Sequence, residues 1–88
     1  MTGSPGAYTV YVLRSESTGR YYIGQTSDLE RRLWFHQNGK CWSTRRCGPW
    51  SLVHREEFTD RGVAVRRERQ LKAMKSRRYL EGVVKAGR

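Results

Sequence analysis

Five side chains of this 88-residue chain have the types needed for hydrolysis of a phosphodiester: Tyr11, Tyr22, Arg32, His36 and Glu68. This reaction requires an activated water, stabilisation of the charge added at phosphorus, and neutralisation of the leaving oxygen. An arginine can stabilise the added charge, and a phenol or an imidazole can accept a proton. A Mg²⁺ or Mn²⁺ ion on a single carboxylate can serve the leaving oxygen, because Mg²⁺ keeps several waters and takes substrate oxygens as ligands.

The two tyrosines lie in short runs of alternating apolar residues, at positions 8–13 and 21–25. Such alternation is typical of β-strands. Residues 15–20 between the runs have turn chemistry, so the runs are predicted to form a β-hairpin. This hairpin brings Tyr11 and Tyr22 onto adjacent strands. Cross-strand aromatic pairs also stabilise ordinary sheets, so packing alone is the alternative interpretation of the pair.

Capping residues predict three helices after the hairpin. Ser27, with Glu30 three residues later, has the capping-box pattern for a helix from Asp28 to about Gln37. Asp60 is the predicted cap of a second helix, over residues 61 to about 74, and Ser76 is the predicted cap of a third. The third helix carries an apolar stripe at helical spacing: Tyr79, Leu80, Val83 and Val84.

A third strand is predicted between the first two helices. Residues 50–58 contain aromatic and β-branched residues in loose alternation, and the preceding residues 40–49 are rich in loop-forming types. The element order is therefore β-β-α-β-α-α. We expect an α+β fold in which helices flank a small three-stranded antiparallel sheet.

The predicted first helix places an arginine and a histidine on one side. At about 100° per residue, Arg32 and His36 share an arc with Leu29 and Leu33, which must face the sheet to be buried. We therefore expect Arg32 and His36 at the edge of the buried face and Arg31 toward solvent. An ordinary histidine near a helix end is the alternative interpretation of His36.

The second predicted helix contains one carboxylate among arginines. Glu68 falls between Ala64 and Leu71 in an i, i+4, i+7 pattern, so it lies beside the expected buried stripe. An ion pair with Lys72 is the alternative role, and such i, i+4 pairs contribute only ~0.3–0.5 kcal/mol.

Composition points to a nucleic-acid partner. The chain is long enough for one small domain, predicted over residues 8–88 after a loose tail at 1–7. Its formal net charge of +10 fits phosphate binding better than solubility alone. No apolar run approaches the ~20 residues of a membrane span, and no signal peptide is evident. Two cysteines without a secretory signal favour a cytoplasmic location.

The chain resembles the GIY-YIG nucleases at four places in order. Residues 9–11 occupy the position of the first signature and keep only its tyrosine, whereas Tyr22-Ile23-Gly24 matches the second at the family spacing. Residues 28–36 resemble the family helix with its arginine and a later histidine. Residues 67–72 resemble the segment with the metal-binding glutamate. The resemblance extends over roughly residues 8–84, and the fold it implies is the one predicted above.

The resemblance implies a role for each candidate. Tyr11 is expected to be the general base or to position the water, with His36 as proton relay, and Tyr22 to orient the phosphate or the water. Arg32 is expected to stabilise charge on the phosphate, and Glu68 to hold one divalent metal ion. The family also suggests that a glycine at position 24 lets the backbone pass close to the site. Thr9-Val10 departs from the family's Gly-Ile, and the asparagine that some relatives place near the carboxyl end is absent.

Further residues are candidates for contact with DNA: Gly24, Trp42, Arg45, Arg46, Arg67 and Lys72. Trp42 can stack on an unpaired base or simply pack the loop onto the domain. Cys41 and Cys47 are better explained as free thiols than as zinc ligands, because their spacing is outside the usual range. The expected function is a metal-dependent DNA endonuclease of low sequence specificity. The alternatives are a catalytically silent DNA- or RNA-binding module and an RNA-binding accessory protein.

Overall fold

A three-stranded antiparallel sheet lies at the centre of the fold, and helices pack against it. The computed structural model describes residues 7–39, 48–74 and 77–86. Its elements are β1 Tyr8–Ser15, β2 Tyr21–Thr26, α1 Leu29–Gln37, β3 Trp50–Phe58, α2 Arg61–Met74 and α3 Arg77–Ala86. The strand order is β2-β1-β3, and both pairings are antiparallel. The predicted α+β fold and element order are confirmed.

The central position of β1 follows from apolar residues on both of its faces. Side chains alternate along a strand, so Val10 and Val12 point to one face while Tyr11 and Leu13 point to the other. All four are fully buried. Because both faces of β1 are covered, the strand lies inside the sheet rather than at its edge.

The two faces of the sheet belong to two separate apolar clusters. One cluster lies under α2 and α3 and contains Val10, Val12, Ile23, Ala64, Leu71 and Leu80. The other lies under α1 and contains Tyr11, Leu13 and Trp50, with Tyr22, Leu29 and Leu33 packed against them. The predicted packing of Leu29 and Leu33 against the sheet is therefore confirmed. The candidate tyrosines and α2 are on opposite faces.

The cap of α1 differs from the prediction. Asp28, and not Ser27, is the N-cap, and its carboxylate accepts a hydrogen bond of 3.2 Å from the Arg31 amide. The cause lies one residue upstream of the predicted cap, where the Thr26 hydroxyl accepts a hydrogen bond of 3.0 Å from the Asp28 amide. The Thr26 hydroxyl thus orients Asp28 as the cap, so the helix begins at Leu29 instead of Asp28.

The other helix boundaries agree with the sequence where they can be compared. Asp60 Oδ1 accepts hydrogen bonds from the amides of Gly62 at 2.7 Å and Val63 at 3.4 Å, as expected of the cap of α2. The proposed cap Ser76 lies outside the described residues. In α3, Leu80 is buried and Tyr79 and Val83 pack beside it. Among the described helices, none is long and apolar enough to cross a bilayer.

Candidate active site

A hydrogen bond joins the central strand to the last turn of α1. The hydroxyl of Tyr11 and Nε2 of His36 are 3.0 Å apart. Both side chains are buried, with 1% and 3% of their surfaces exposed. The bond has two neutral forms, because an imidazole carries its proton on either nitrogen. In one form the phenol donates to Nε2, and in the other Nε2 donates to the phenol oxygen.

Tyr22 packs against the same imidazole. Its ring centroid lies 4.9 Å from that of His36 and 6.3 Å from that of Tyr11. In the β1–β2 pairing, Tyr22 is opposite Leu13, which places it diagonally to Tyr11 on the same face. Tyr22 is only partly buried, so it is the more accessible of the two tyrosines. The predicted hairpin thus brings both phenols to one histidine.

Gly24 is directly opposite Tyr11 in the sheet, and its missing side chain makes room for the phenol. A Cβ atom at this position would lie 2.5 Å from the Tyr11 hydroxyl oxygen and 2.7 Å from Cζ. Real Cβ contacts are not this short, so any larger residue must displace the ring. The close approach expected at Gly24 is therefore with Tyr11. Contact of the Gly24 backbone with nucleic acid remains a prediction.

Arg32 influences the site through its charge. Burial of the imidazole and, secondly, the positive charge of Arg32 hold the pKa of His36 below its usual value. His36 is therefore neutral at pH 7 and has one ring nitrogen able to accept a proton. The Arg32 side chain itself is exposed, as a contact with phosphate requires. Arg31 is also exposed, and its guanidinium carbon lies 5.6 Å from the centre of the Phe35 ring.

Glu68 is on the other side of the sheet from the tyrosines. It belongs to α2, whose Ala64 and Leu71 are in the opposite cluster. Its side chain is 19% exposed, and its Oε2 lies 2.9 Å from Nζ of Lys72. The i, i+4 ion pair anticipated as the alternative role is therefore present. Lys72 keeps 54% of its side chain exposed, so the pair is a weak one.

The donor set for a metal ion is small. Within the described ranges, no group of three or more His, Cys, Asp or Glu side chains could hold an ion. One carboxylate with water and substrate oxygens is nevertheless a usual environment for Mg²⁺, and Glu68 has the required chemistry. A metal ion on Glu68 would have to displace Lys72, and ion pairs at i, i+4 contribute only ~0.3–0.5 kcal/mol.

Arg67 makes contacts within the protein. Its Nε and Nη2 atoms donate hydrogen bonds of 2.8 and 2.9 Å to the two carboxylate oxygens of Glu56 on β3, and Nη1 donates to Gln70 at 2.9 Å. This paired geometry lowers the pKa of Glu56, mainly through the hydrogen bonds from Arg67. Arg67 therefore links α2 to the sheet, and its contact with nucleic acid stays a prediction.

Arg55 is a candidate that the sequence did not single out. It is paired with Tyr11 in the β1–β3 ladder and is exposed. Residues paired across strands share a face, so Arg55 lies on the face of the tyrosines, beside a groove of about 510 Å³ that Thr9 and Leu29 also line. Arg55 was not singled out because its position opposite Tyr11 depends on the pairing of β1 with β3, which no local sequence pattern specifies.

Several predicted contact residues cannot be compared with the structure. Trp42, Arg45 and Arg46, together with Cys41 and Cys47, lie outside the described residues. Of the five proposed catalytic groups, the fold joins Tyr11, Tyr22 and His36 directly, with Arg32 close enough to affect the titration of the histidine.

Comparison with known proteins identifies the family. The model of the GIY-YIG catalytic domain matches residues 7–80, nearly the whole chain. The chain belongs to the GIY-YIG family. This membership confirms the resemblance. Together with the similarity to a structure-specific endonuclease subunit, it supports a nuclease domain.

Relatives of this GIY-YIG domain are of two kinds. A UPF0213 protein of Halobacterium salinarum is 39% identical over 66 residues, which make up 74% of this chain and 84% of the relative. The structure-specific endonuclease subunit SLX1 of Meyerozyma guilliermondii is 38% identical over an alignment 87 residues long, and the match covers 90% of this chain but 29% of the relative. The chain thus spans less than a third of the length of that endonuclease subunit.

A solved structure supports the fold. The solution structure of the UPF0213 protein BH0048 from Bacillus halodurans is 36% identical to this chain, with a TM-score of 0.59. The match covers 91% of this chain and 84% of that protein.

Proposed function

We propose that this GIY-YIG domain is a metal-dependent endonuclease that hydrolyses DNA phosphodiester bonds with low sequence specificity. The observation that carries the proposal is the 3.0 Å hydrogen bond between the Tyr11 hydroxyl and a neutral His36. Low sequence specificity is expected of an interface made mainly with phosphates, because phosphate contacts carry no sequence information. A substrate rich in phosphate suits the net charge of +10.

The hydrogen bond supplies a path for the proton of the attacking water. A free phenol has a pKa near 10, so a phenolate is scarce at neutral pH. In the tautomer in which Tyr11 donates to Nε2, the phenol passes its proton to His36 as it takes one from water. Tyr11 then never has to carry a full negative charge. The lowered pKa of His36 favours the required neutral imidazole before the reaction.

The remaining side chains act on the phosphate. Arg32 is exposed beside His36, where its guanidinium can bind two phosphate oxygens and stabilise the charge that develops on them. The partly exposed Tyr22 orients the phosphate or the water, so we expect substrate to approach from its side. Glu68 would hold a divalent ion, Mg²⁺ or Mn²⁺, and such an ion would supply positive charge for the leaving oxygen.

The opposite placement of Glu68 and the tyrosines restricts where the phosphate can bind. α2 packs against β1 and β2, and β2 is an edge strand of the sheet. Groups on the two faces can act on one phosphate only around such an edge, because the interior of a sheet is closed by its own backbone. The proposal therefore places the scissile phosphate at the edge formed by β2, next to Tyr22.

Cleavage assays test the proposal. Labelled single-stranded, duplex and flap DNA are incubated with Mg²⁺, Mn²⁺ or EDTA, using wild type and the variants Tyr11→Phe, Arg32→Ala and Glu68→Ala. We expect cleavage by wild type with either metal ion and not with EDTA, and a loss of roughly 10²–10³-fold for each variant, as for other groups that stabilise a transition state.

Matched controls separate the site from general loss of charge. Arg78→Ala and Glu81→Ala remove one exposed arginine and one exposed carboxylate from α3, and both should cleave as wild type does. If wild type binds DNA but cleaves none of the substrates, the protein is a binding module instead. Full activity of Glu68→Ala would remove Glu68 from the metal site without affecting the assignment of Tyr11.

A further inference from the structure

The exposed side of α1 adjoins the proposed site at Arg32. Successive residues of a helix are rotated by about 100°. Around α1 from Arg32, in the direction away from His36, Phe35 comes after about 60°, Arg31 after a further 40° or so, and Trp34 after about 60° more. We call Arg31, Trp34 and Phe35 the α1 outer face. A strand that leaves the phosphate site over Arg32 passes these three side chains next.

Trp34 presents an open aromatic surface on this face. It is 53% exposed, in a chain whose mean hydropathy is −0.85. Its ring meets that of Phe35 edge to face, with centroids 5.4 Å apart and planes at 81°. This contact favours one orientation of the indole relative to Phe35, because edge-to-face pairs are preferred over face-to-face stacks. The indole is thus held in place while more than half of its surface is open.

Arg31 adds a positive charge that is already oriented. Its guanidinium carbon lies 5.6 Å from the centre of the Phe35 ring, which is within the range of a cation–π contact. The guanidinium is therefore held against the same Phe35 ring that Trp34 contacts, and it keeps donors for a phosphate oxygen. An aromatic surface with an adjacent oriented cation is the arrangement that single-stranded nucleic-acid binders use, with the base on the ring and the phosphate on the cation.

We propose that the α1 outer face binds an unpaired nucleobase of the substrate strand, with the base stacked on Trp34. In a duplex the two faces of each base are covered by neighbouring bases, so only unpaired bases present a face to an indole. The inference rests on the proposed function for the path of the strand from the phosphate site to Trp34, but base binding itself does not require cleavage. It makes single strands, and junctions that contain them, the preferred substrates.

Binding in EDTA, where cleavage does not interfere, tests this inference. The probes are a labelled oligothymidylate and a strand of equal length made of abasic deoxyribose phosphates, which keeps the charge and lacks the bases. We expect Trp34→Ala to bind the oligothymidylate about tenfold more weakly than wild type does. Its affinity for the abasic strand should stay within about twofold of the wild-type value. Trp34→Phe, which keeps an aromatic ring, should retain most of the preference for bases.

A matched control is Met74→Ala, which removes another exposed apolar side chain, 47% exposed, from α2. It should bind both probes as wild type does. An unchanged preference for bases in Trp34→Ala would overturn the proposal, as would an equal loss of affinity for both probes. A change in sedimentation of Trp34→Ala, with binding unaltered, would overturn it by assigning Trp34 to contact between proteins.

The two proposals fail in different ways. If wild type cleaves nothing while Trp34→Ala loses its preference for bases, base stacking stands and the nuclease proposal is refuted. If cleavage depends on Tyr11, Arg32 and Glu68 but Trp34→Ala shows no change in base preference, the nuclease proposal stands and stacking on Trp34 is refuted.

Discussion

Replacement of Gly24 by alanine is expected to displace the Tyr11 ring and to weaken its hydrogen bond to His36. The added Cβ lies 2.5 Å from the Tyr11 hydroxyl oxygen and 2.7 Å from Cζ, whereas carbon atoms in contact are separated by about 3.5–4.0 Å. The phenol must therefore move by roughly 1 Å. Tyr11 is 1% exposed, so the ring cannot swing into solvent, and its hydrogen bond to His36 must lengthen or break.

The energetic cost has two opposing parts. Overpacking of a buried site typically costs about 1–3 kcal/mol, and weakening the buried hydrogen bond adds about 1 kcal/mol. Alanine in a strand recovers about 0.5–1 kcal/mol of the backbone entropy that glycine loses on folding. The net expectation for Gly24→Ala is a loss of about 1–3 kcal/mol. For a domain of this size that loss lowers Tm by roughly 4–8 °C per kcal/mol.

The control for Gly24→Ala is Gly82→Ala on α3. A Cβ at Gly82 meets no atom within 4 Å, so alanine should stabilise the helix by about 0.4–1 kcal/mol. Urea denaturation of both variants gives the comparison, and a cleavage assay shows whether activity falls with the hydrogen bond. In a Tyr11→Phe background the cost of Gly24→Ala should shrink without vanishing, because Cζ remains in place.

Stability of Gly24→Ala equal to that of Gly82→Ala would refute the argument, and so would an unchanged cost in the Tyr11→Phe background. In either case the close contact between Gly24 and Tyr11 would not be what position 24 requires.

Two further predictions concern charge. The pKa of His36 in the folded protein is below its usual value of about 6.5, so well above that pH the imidazole is neutral in both the folded and the unfolded chain. As the pH falls through 6.5, the unfolded chain takes up a proton that the folded chain resists, so the free energy of unfolding measured with urea should decline, and it should decline less in His36→Gln. Arg67→Ala removes the two hydrogen bonds that Arg67 donates to the Glu56 carboxylate and should lower the free energy of unfolding by about 1–2 kcal/mol in thermal denaturation. Arg66→Ala, at an exposed arginine, should change it by no more than about 0.5 kcal/mol.

The parts of the fold that sequence predicts well depend on local patterns. The alternation of apolar residues predicts the hairpin. The cap residue Asp60 predicts where α2 begins, because it makes its hydrogen bonds within three residues. The same local reasoning missed the cap of α1. Ser27 and Asp28 are both good N-caps, and the choice between them is made by the hydroxyl of Thr26. Side-chain geometry, not residue type, decides such cases.

The parts that sequence predicts poorly depend on register and on the choice of face. Helical phase placed His36 beside the buried face, and the structure buries it against Tyr11. Helical phase does not indicate on which face of the sheet a helix packs, so it does not predict that α2 lies on the face opposite the tyrosines. Arg55 and the partner of Arg67 were missed because the first depends on the pairing of β1 with β3 and the second on the packing of α2 against β3, and both join residues distant in sequence.

The alternation of β1 is the feature that links stability to the proposed chemistry. Even-numbered residues Val10 and Val12 fill the cluster under α2, while Tyr11 between them faces His36. A change on the even-numbered side can alter stability while leaving the hydrogen bond in place. Because Glu68 is on that side, cleavage that depends on both Glu68 and Tyr11 requires a phosphate at the β2 edge. A strand that runs from this edge over Arg32 passes Phe35 and Arg31 before it reaches Trp34, so the proposed order of contacts follows from the order of side chains around α1.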